Sequence, residues 1–558
     1  MNTLDPAPTR DAISETQSVS LRRTVVATVL EVLLLMGVFF IYAGDMTPMV
    51  NEAHYLVKAK NFWDPTWCQN DLFSASGKAH TTFYALFGWP TKFLSLATTT
   101  WIGRVVGWLM LAIGLQRLTT RLVKMPLACL GVAVVWIAGI EHGNLAGEWV
   151  VGGIEAKVPA YGCVLLAMAM MVDRRWNWVW PLLGVASAFH VLSGGWSVIA
   201  AMLAWFVTEW RGPHEDRQRL FGVPLFLGGA IALFGLVPAL ALTLGASSED
   251  SAAAARIYTY FRIKHHLLPS DFIFEWYRRH GILIAMTFGA WFLLRLQVTE
   301  DRKRYSSIGW FCVGCVSFAI IGLLIGQLRF TWPDLTAKLL RYYWFRMSDA
   351  IVPLTLGLLV MRMVQCRKAG WFRAVQTIGL AVVCIATGLV AHSSLQKAQV
   401  GVPPSASNRL LGWRVNASKE EQLQTFADWK AVCAWAREST GPDEVFLTPR
   451  HQQSFKWYAH RAEVVNWKDV PQDAAALTLW QQRFDDVFPV AKGSRMIRVT
   501  IRHKTLRRYR EDYGVRYLIV DRRVVGPSLP LVRVYPAGEE RNDSYAVYEL
   551  PNLVTADQ

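Results

Sequence analysis

The sequence predicts a polytopic α-helical membrane protein of about eleven spans, followed by a C-terminal extracytoplasmic α/β domain. Three observations predict it. Only 18% of the 558 residues are charged and 53% are hydrophobic, against about 25% charged in an ordinary soluble protein. A mean hydropathy of +0.24 over so long a chain requires lipid-facing surface, which excludes a purely cytosolic enzyme. Apolar runs of spanning length recur, and Lys and Arg gather in alternate loops between them, the pattern of cytoplasmic loops. The formal charge of +16 would suggest nucleic-acid binding in a soluble protein. Here 23 basic and 19 acidic residues follow from Gly401 onward, leaving 35 and 23 in the apolar part. That excess sits in short loops, so nucleic acid is not an expected partner and membrane lipid is.

The elements follow in order. Residues 1–23 are a polar cytoplasmic tail ending at Arg22-Arg23, and Thr24 to Gly44, interrupted only by Glu31, reads as an uncleaved first helix because no short h-region or cleavage site is present. The transmembrane domain is expected over 24–394. Trp101–Leu118 runs inward to Arg121 and Lys124, Leu127–Ile140 runs outward, and Val158–Val172 returns to Asp173-Arg174-Arg175. Trp178–Trp210 is too long for one span at 1.5 Å per residue. It reads as two short helices turning at Gly194-Gly195 and ending near Arg211, Arg217 and Arg219. Leu220–Leu244 goes out, Ile282–Leu296 returns to Arg302-Lys303-Arg304, and Ile308–Ile325 emerges. Met347–Val364 descends to Arg367, Lys368 and Arg373, and Ala374–Ala391 crosses outward. The outer loops are then 45–100, 141–157, 245–281 and 326–346. Residues 395–558 form the C-terminal domain: a linker with Pro403-Pro404, helices at Phe426–Arg437 and Ala474–Phe484, and strands near Val445, Val464, Leu518 and Val547. Such alternation favours an α/β layer. Of eight cysteines, Cys129, Cys163, Cys312, Cys315 and Cys384 lie in apolar runs and read as small hydrophobes, so no disulfide or zinc framework is legible.

The outer loops differ from the inner ones in chemistry. The first carries Asp45, Asn51-Glu52-Ala53-His54-Tyr55, Asp71 and His80; the second reads EHGNLAGEWVVGGIEAK and supplies Glu148, Glu155 and Lys157. His190 joins them from the double helix. The later loops are cationic, with Arg262, Lys264, His265 and His266, then Arg341 and Arg346. Acids beside cations suit group transfer from a phosphate-bearing donor: a carboxylate accepts the acceptor's proton, and Arg forks hold the departing phosphate. The same residues have plainer readings: ion pairs among Glu148, Glu155 and Lys157, a helix-end contact for His190, and lipid headgroups for the Arg-Ile-Lys-His-His run. His265-His266 has no carboxylate at metal-ligand spacing. No cofactor is implied, and a divalent metal is left open.

An uncleaved first helix, a long acidic first outer loop, about ten further spans and an extracytoplasmic C-terminal domain together resemble the GT-C superfamily of polyprenyl-phosphate-sugar-dependent membrane glycosyltransferases. Asp45 and Asn51-Glu52-Ala53-His54-Tyr55-Leu56 look like its first-loop Asp-Glu signature. Gly441-Pro-Asp-Glu-Val-Phe-Leu-Thr-Pro, Phe455-Lys-Trp-Tyr and His460-Arg461 are similar to the start of its C-terminal domain. The NEAHYL and GEWVVGGIEAK stretches also resemble a bacterial membrane-protein family of uncharacterised activity. One departure is that Asn51 stands where the signature has Asp. The resemblance implies a bacterial inner-membrane enzyme of inverting type that takes a sugar from a polyprenyl-phosphate carrier at the outer face. Glu52 is then the expected base, with Asp45 or Glu148 as alternatives, and Arg262, Lys264 and Arg341 hold the carrier phosphate. His54 and His190 orient substrate, beside Tyr55, Asp71, His80, Glu155, Lys157, His265, His266 and Arg346. The competing readings are a transporter or flippase for an anionic lipid-linked glycan and a non-catalytic envelope assembly protein.

Overall fold

The computed structural model describes residues 10–210, 217–295, 302–365, 372–404, 417–491 and 493–551. Arg211, Arg367 and Lys368 of the expected basic loops lie outside the described residues. Helices occupy all the apolar segments: α1 (Arg10–Ala43), α5 (Leu96–Leu122), α6 (Ala128–Gly143), α7 (Lys157–Val172), α8 (Trp176–Phe189), α9 (Val191–Trp205), α10 (Val223–Ala241), α13 (Phe274–Arg295), α14 (Arg302–Gln327), α16 (Arg346–Gln365) and α17 (Phe372–Val400). Among the described residues, seven helices are long and apolar enough to cross a membrane by length and composition, and α6 and α7 are shorter apolar helices. The chain is a polytopic helical membrane protein with a C-terminal domain. In the bundle, the buried Glu31 of α1 accepts from Gln116 Nε2 of α5 and from the Leu127 N–H that opens α6, both at 2.9 Å. That satisfies a carboxylate which would otherwise be costly inside the apolar layer.

The 178–210 stretch is two helices, but they part at His190, not at the glycine pair. His190 Nδ1 accepts from Ser193 N–H at 3.1 Å and caps α9, satisfying a donor that a helix start leaves unpaired. Gly194 serves packing: a Cβ there would lie 2.2 Å from Ser187 N.

The first long loop folds into α2 (Glu52–Trp63), α3 (Leu72–Ala75) and α4 (Thr81–Gly88). The third carries α11 (Ser248–Arg256), a π-helical turn at Ile257–Arg262 and α12 (Lys264–Leu267), and the fourth carries α15 (Pro333–Leu340). The C-terminal domain has a five-stranded sheet of β1 (Val445–Leu447), β2 (Ala462–Glu463), β5 (Val515–Asp521), β6 (Val532–Tyr535) and β7 (Tyr545–Glu549), in order β2-β1-β5-β7-β6. A separate pair joins β3 (Val490–Ala491) to β4 (Ser494–Arg495). The first three neighbours in the large sheet pair in parallel, and β7 runs antiparallel to β5 and β6. Both faces of the sheet are covered. Tyr517 and Ile519 pack with Trp429 of the Lys419–Ser439 helix; Leu518 and Val520 pack with Trp480 of the Ala474–Val487 helix. Burial on both sides explains why Tyr-Leu-Ile-Val reads as a continuous apolar run, since alternate strand residues face opposite layers.

The domain is docked on the first and third of these loops. Ala254 shares its core, Gly77 N–H donates to Asp473, and Lys456 Nζ lies 3.2 Å from Asp71, 2.7 Å from Glu463 and 2.7 Å from Asp469.

Candidate active site

A cavity of about 440 Å³ lies where this end of the bundle meets the C-terminal domain. Its first wall is the start of α2. Asn51, His54 and Tyr55 line it, and their spacing of three and four residues places them on one helical face.

Glu52 is one residue out of phase and points away from the cavity. Its carboxylate takes four N–H donors: Arg104 Nε at 2.6 Å, Arg104 Nη2 at 2.7 Å, Ile154 N at 2.9 Å and Met49 N at 2.7 Å. Both partners are fully buried. Gly153 permits this approach, since a Cβ there would sit 2.6 Å from Glu52 Oε1. The expectation that Glu52 is the base is therefore corrected: its oxygens are saturated by a buried cation and backbone amides, which leaves no lone pair facing substrate. Asp45 does not line the cavity either, and its carbonyl accepts from Arg104 Nη1.

The second wall is the loop after α6. Lys157 Nζ sits between Glu148 at 3.2 Å and Glu155 at 2.8 Å, and lies over the Trp149 ring. Asn51 donates to the other Glu155 oxygen at 2.8 Å. Buried Asp349 shapes the loop by accepting from Leu145, Ala146 and Glu148 N–H at 2.7, 2.9 and 3.4 Å. At the start of α16, Arg346 Nε lies 2.9 Å from Glu148 and its guanidinium covers Tyr343. Its Nη1 is 2.9 Å from His190 Nε2.

The third wall is the π turn and α12. Tyr258, Arg262, His265 and His266 line it. Arg262 Nε donates to Trp467 O at 2.6 Å, with the guanidinium stacked on that indole. His266 Nδ1 contacts the Ala146 carbonyl. Gly147 beside it has φ +73° and leaves no room for a Cβ against the imidazole. The C-terminal domain closes the cavity with Trp467, Lys468, Val470 and Gln472.

His54 Nδ1 lies 3.1 Å from Asp469 Oδ1. Burial pulls the His54 imidazole below its usual range, and its hydrogen bond to Asp469 opposes that. Burial also works against ionisation of Asp469, but Lys456 and His54 outweigh it and hold the carboxyl below its usual range. Lys456 is held well above its own range in spite of burial, by Asp469, Asp71 and Glu463. Burial lowers His266 well below the ordinary histidine value, with His265 beside it adding to the effect. With neutral imidazoles the lining side chains Lys157, Arg262, Arg346 and Lys468 exceed Glu148 and Glu155 by two positive charges. The cavity lining is net cationic, which attracts anions.

Several expected residues lie elsewhere. Asp71 belongs to the Lys456 cluster and caps α3 through Ser74 N–H. His80 stacks on His190 with centroids 5.1 Å apart, and burial lowers it to about 4. Lys264 pairs with Asp271 at 2.8 Å on the surface, and Arg341 lies over the Tyr258 ring at 5.7 Å. Neither lines the cavity. Among the described residues, no group of three or more His, Cys, Asp or Glu is placed to hold a metal. Sequence reasoning did not single out Arg104, Asp349, Lys456, Trp467, Lys468 or Asp469 for the site. Arg104 and Asp349 carried one legible signal, a lone charge inside an apolar run, which needs a partner.

Bundle, docked domain and cavity define a polytopic membrane protein whose cationic site is completed by its C-terminal domain. Residues 427–487 match a family described as a domain of unknown function, DUF6798, and that segment holds Lys456, Trp467, Lys468 and Asp469. No curated protein matches the chain. Among solved structures the chain is similar to ArnT from Cupriavidus metallidurans bound to undecaprenyl phosphate, at 12% identity and TM-score 0.49, covering 95% of this chain and 99% of that one. It is also similar to ArnT from the same organism in the apo state, at 13% identity and TM-score 0.46, covering 95% and 98%.

Proposed function

We propose that the chain is a GT-C-like membrane glycosyltransferase that binds a polyprenyl-phosphate-linked sugar in this cavity and passes the sugar to an acceptor at the outer face. The observation that carries the reading is the excess of two positive charges in a cavity at the end of a membrane bundle. A phosphodiester on a lipid carrier supplies one negative charge at that depth, and the released phosphate monoester up to two. Arg346 and Lys157 are positioned by Glu148 and Glu155, and with Arg262 they form a preorganised set of donors for the phosphate leaving group. The Trp149 and Trp467 rings carry Lys157 and Arg262 on their faces and hold those cations at the cavity wall. In this reading the carboxylates of the second loop orient cations and do not accept protons. The C-terminal domain, residues 395–558, and the four loops at its end of the bundle are extracytoplasmic, and the N-terminus is cytoplasmic.

The test is made on the purified full chain in nanodiscs. Undecaprenyl phosphate is titrated for binding, and a panel of synthetic undecaprenyl-phosphate monosaccharides is incubated with an envelope lipid extract to detect release of the carrier. Saturable binding with carrier release supports the transferase. Binding without release from any donor, together with movement of the carrier across sealed vesicles, replaces it with the flippase reading. No binding removes both.

A further inference from the structure

A transfer from a sugar phosphate to a hydroxyl needs a group that takes the hydroxyl proton, and five of the cavity's acid or imidazole candidates are engaged or badly placed. Glu148 is paired with Lys157 and Arg346, and Glu155 with Lys157 and Asn51. Both nitrogens of His190 face donors, Ser193 N–H on one side and the Arg346 guanidinium on the other. His266 spends Nδ1 on a backbone carbonyl. Protonating it would place a cation beside His265, Arg346 and Lys468 with no carboxylate to balance it.

His265 also lines the cavity, its ring centroid 4.1 Å from that of His266, so a proton there meets the same cationic surroundings. His54 is the exception. Because Asp469 is ionised and can only accept, the proton of the neutral ring sits on Nδ1, which donates to Asp469 Oδ1. Nε2 then carries the lone pair. It has no hydrogen-bond partner among the described residues, and the ring, 16% exposed, lines the cavity. Asp469 is itself held in place: its Oδ2 accepts from Lys456 at 2.7 Å and Asn466 Nδ2 at 3.0 Å, and its N–H donates to Asn466 Oδ1 at 2.8 Å. Lys456 reaches back to Asp71 of the first loop. An imidazole fixed in one tautomer by a buried carboxylate that also stabilises its protonated form has the arrangement of a general base with its orienting acid.

We propose that His54 Nε2 is the general base of the transfer and that Asp469, supplied by the C-terminal domain 415 residues away, is its positioning residue. The inference rests on the transferase reading. The acceptor O–H gives its proton to Nε2, and the acceptor oxygen forms a bond to the anomeric carbon. The bond from that carbon to the phosphate oxygen breaks, its electron pair leaving with the polyprenyl phosphate toward Lys157, Arg262 and Arg346. The imidazolium, paired with Asp469, then loses its proton to water. The domain is thus half of the catalytic dyad as well as a cover.

The experiment compares wild type, His54→Gln and Asp469→Asn in nanodiscs. It uses undecaprenyl phosphate for affinity and the synthetic donor panel with envelope lipid extract for rate. Both variants are expected to lose about 10²-fold or more in rate while affinity for undecaprenyl phosphate stays within about threefold. The wild-type rate falls tenfold per pH unit below the His54 pKa. The charged and titratable groups facing His54 are Asp469 and Lys468 from the domain, with Lys456 behind Asp469, Lys58 and Tyr55 from α2, and His80 before α4. Loss of the Asp469 charge therefore moves the acid limb to lower pH in Asp469→Asn, a shift that a purely structural role does not produce. Independently of turnover, diethyl pyrocarbonate should modify His54 in the wild type along with the exposed His503, and undecaprenyl phosphate should protect His54 and leave His503 reactive. A wild type that transfers while His54→Gln keeps its rate, or keeps the acid limb, overturns the dyad and leaves the function standing. A His54 that resists the reagent while His503 reacts also overturns it. A wild type that neither binds nor transfers removes the function, and the dyad with it.

Discussion

Two acid–cation clusters flank the start of α2, built from the same residue types and put to different use. On one side Glu52 and Arg104 form a closed clasp in which each carboxylate oxygen takes two N–H donors and both side chains are at most 1% exposed. On the other, Glu148, Glu155, Lys157 and Arg346 are nearly as buried, yet they open onto a cavity and leave donors facing it. The clasp ties the first loop to α5 and to the backbone at Ile154. The open cluster holds Lys157 and Arg346 against Glu148 and Glu155 at the cavity wall. The difference teaches that the chemical type of a buried charge does not decide its role. What decides it is whether donors and acceptors are balanced within the protein or left in excess toward a space a ligand can enter.

Breaking the clasp should have the largest effect. Glu52→Gln leaves the Arg104 guanidinium buried without its countercharge, at a cost of about 3–5 kcal/mol, read as a fall in the thermal unfolding midpoint in detergent. The double substitution Glu52→Leu with Arg104→Met should recover only part of it, because it removes both charges but leaves the Ile154 and Met49 N–H groups without the carboxylate they donate to. Should Glu52→Gln melt like the wild type yet lose transfer, the comparison breaks and the base role returns to Glu52. In the open cluster the expected effect is on binding. Arg262→Gln or Arg346→Gln should weaken undecaprenyl phosphate binding by about 1.5–3 kcal/mol each, the range for a hydrogen bond to a charged group. Unchanged affinity in both would make this cluster a second clasp.

Much of the fold was legible because lipid imposes a length of apolar chain. That logic placed the helices and the change of composition after the last one. It misplaced the α8–α9 break, because a glycine pair reads as a turn from sequence alone while the actual break is made by a histidine cap. Within the site, the gathering of loop residues was legible as polarity at the bundle's end. The role of Glu52 was not, although helical phase separates it from Asn51, His54 and Tyr55 by one step. Its partner lies 52 residues away inside an apolar run. The contributions of Lys456, Trp467 and Asp469 were hidden for the same reason. Trp467 reaches the cavity, and Asp469 and Lys456 reach His54 and Asp71 behind it, only through docking of a domain about 400 residues downstream, and no local pattern encodes that contact.

The smallest expected effect is the most pointed test of the comparison. Lys264 and Arg341 carry the same charge as Arg262 and Arg346 and lie close to them in sequence, and residue type alone put Lys264 and Arg341 on the carrier phosphate. In the structure Lys264 pairs with Asp271 at the surface, with the two side chains 48% and 29% exposed. An exposed pair of this kind contributes about 0–1 kcal/mol. Arg341 rests over Tyr258 and does not line the cavity. Lys264→Gln and Arg341→Gln should therefore change undecaprenyl phosphate affinity by less than about threefold, with a small loss at low ionic strength that disappears in salt as long-range attraction is screened. If Arg341→Gln instead cost tenfold and the loss persisted in salt, the fourth-loop arginine would have to swing onto the phosphate when the carrier binds. The cavity would then be an open form of a site that finishes assembling around its ligand, and donor excess would have to be counted over both forms.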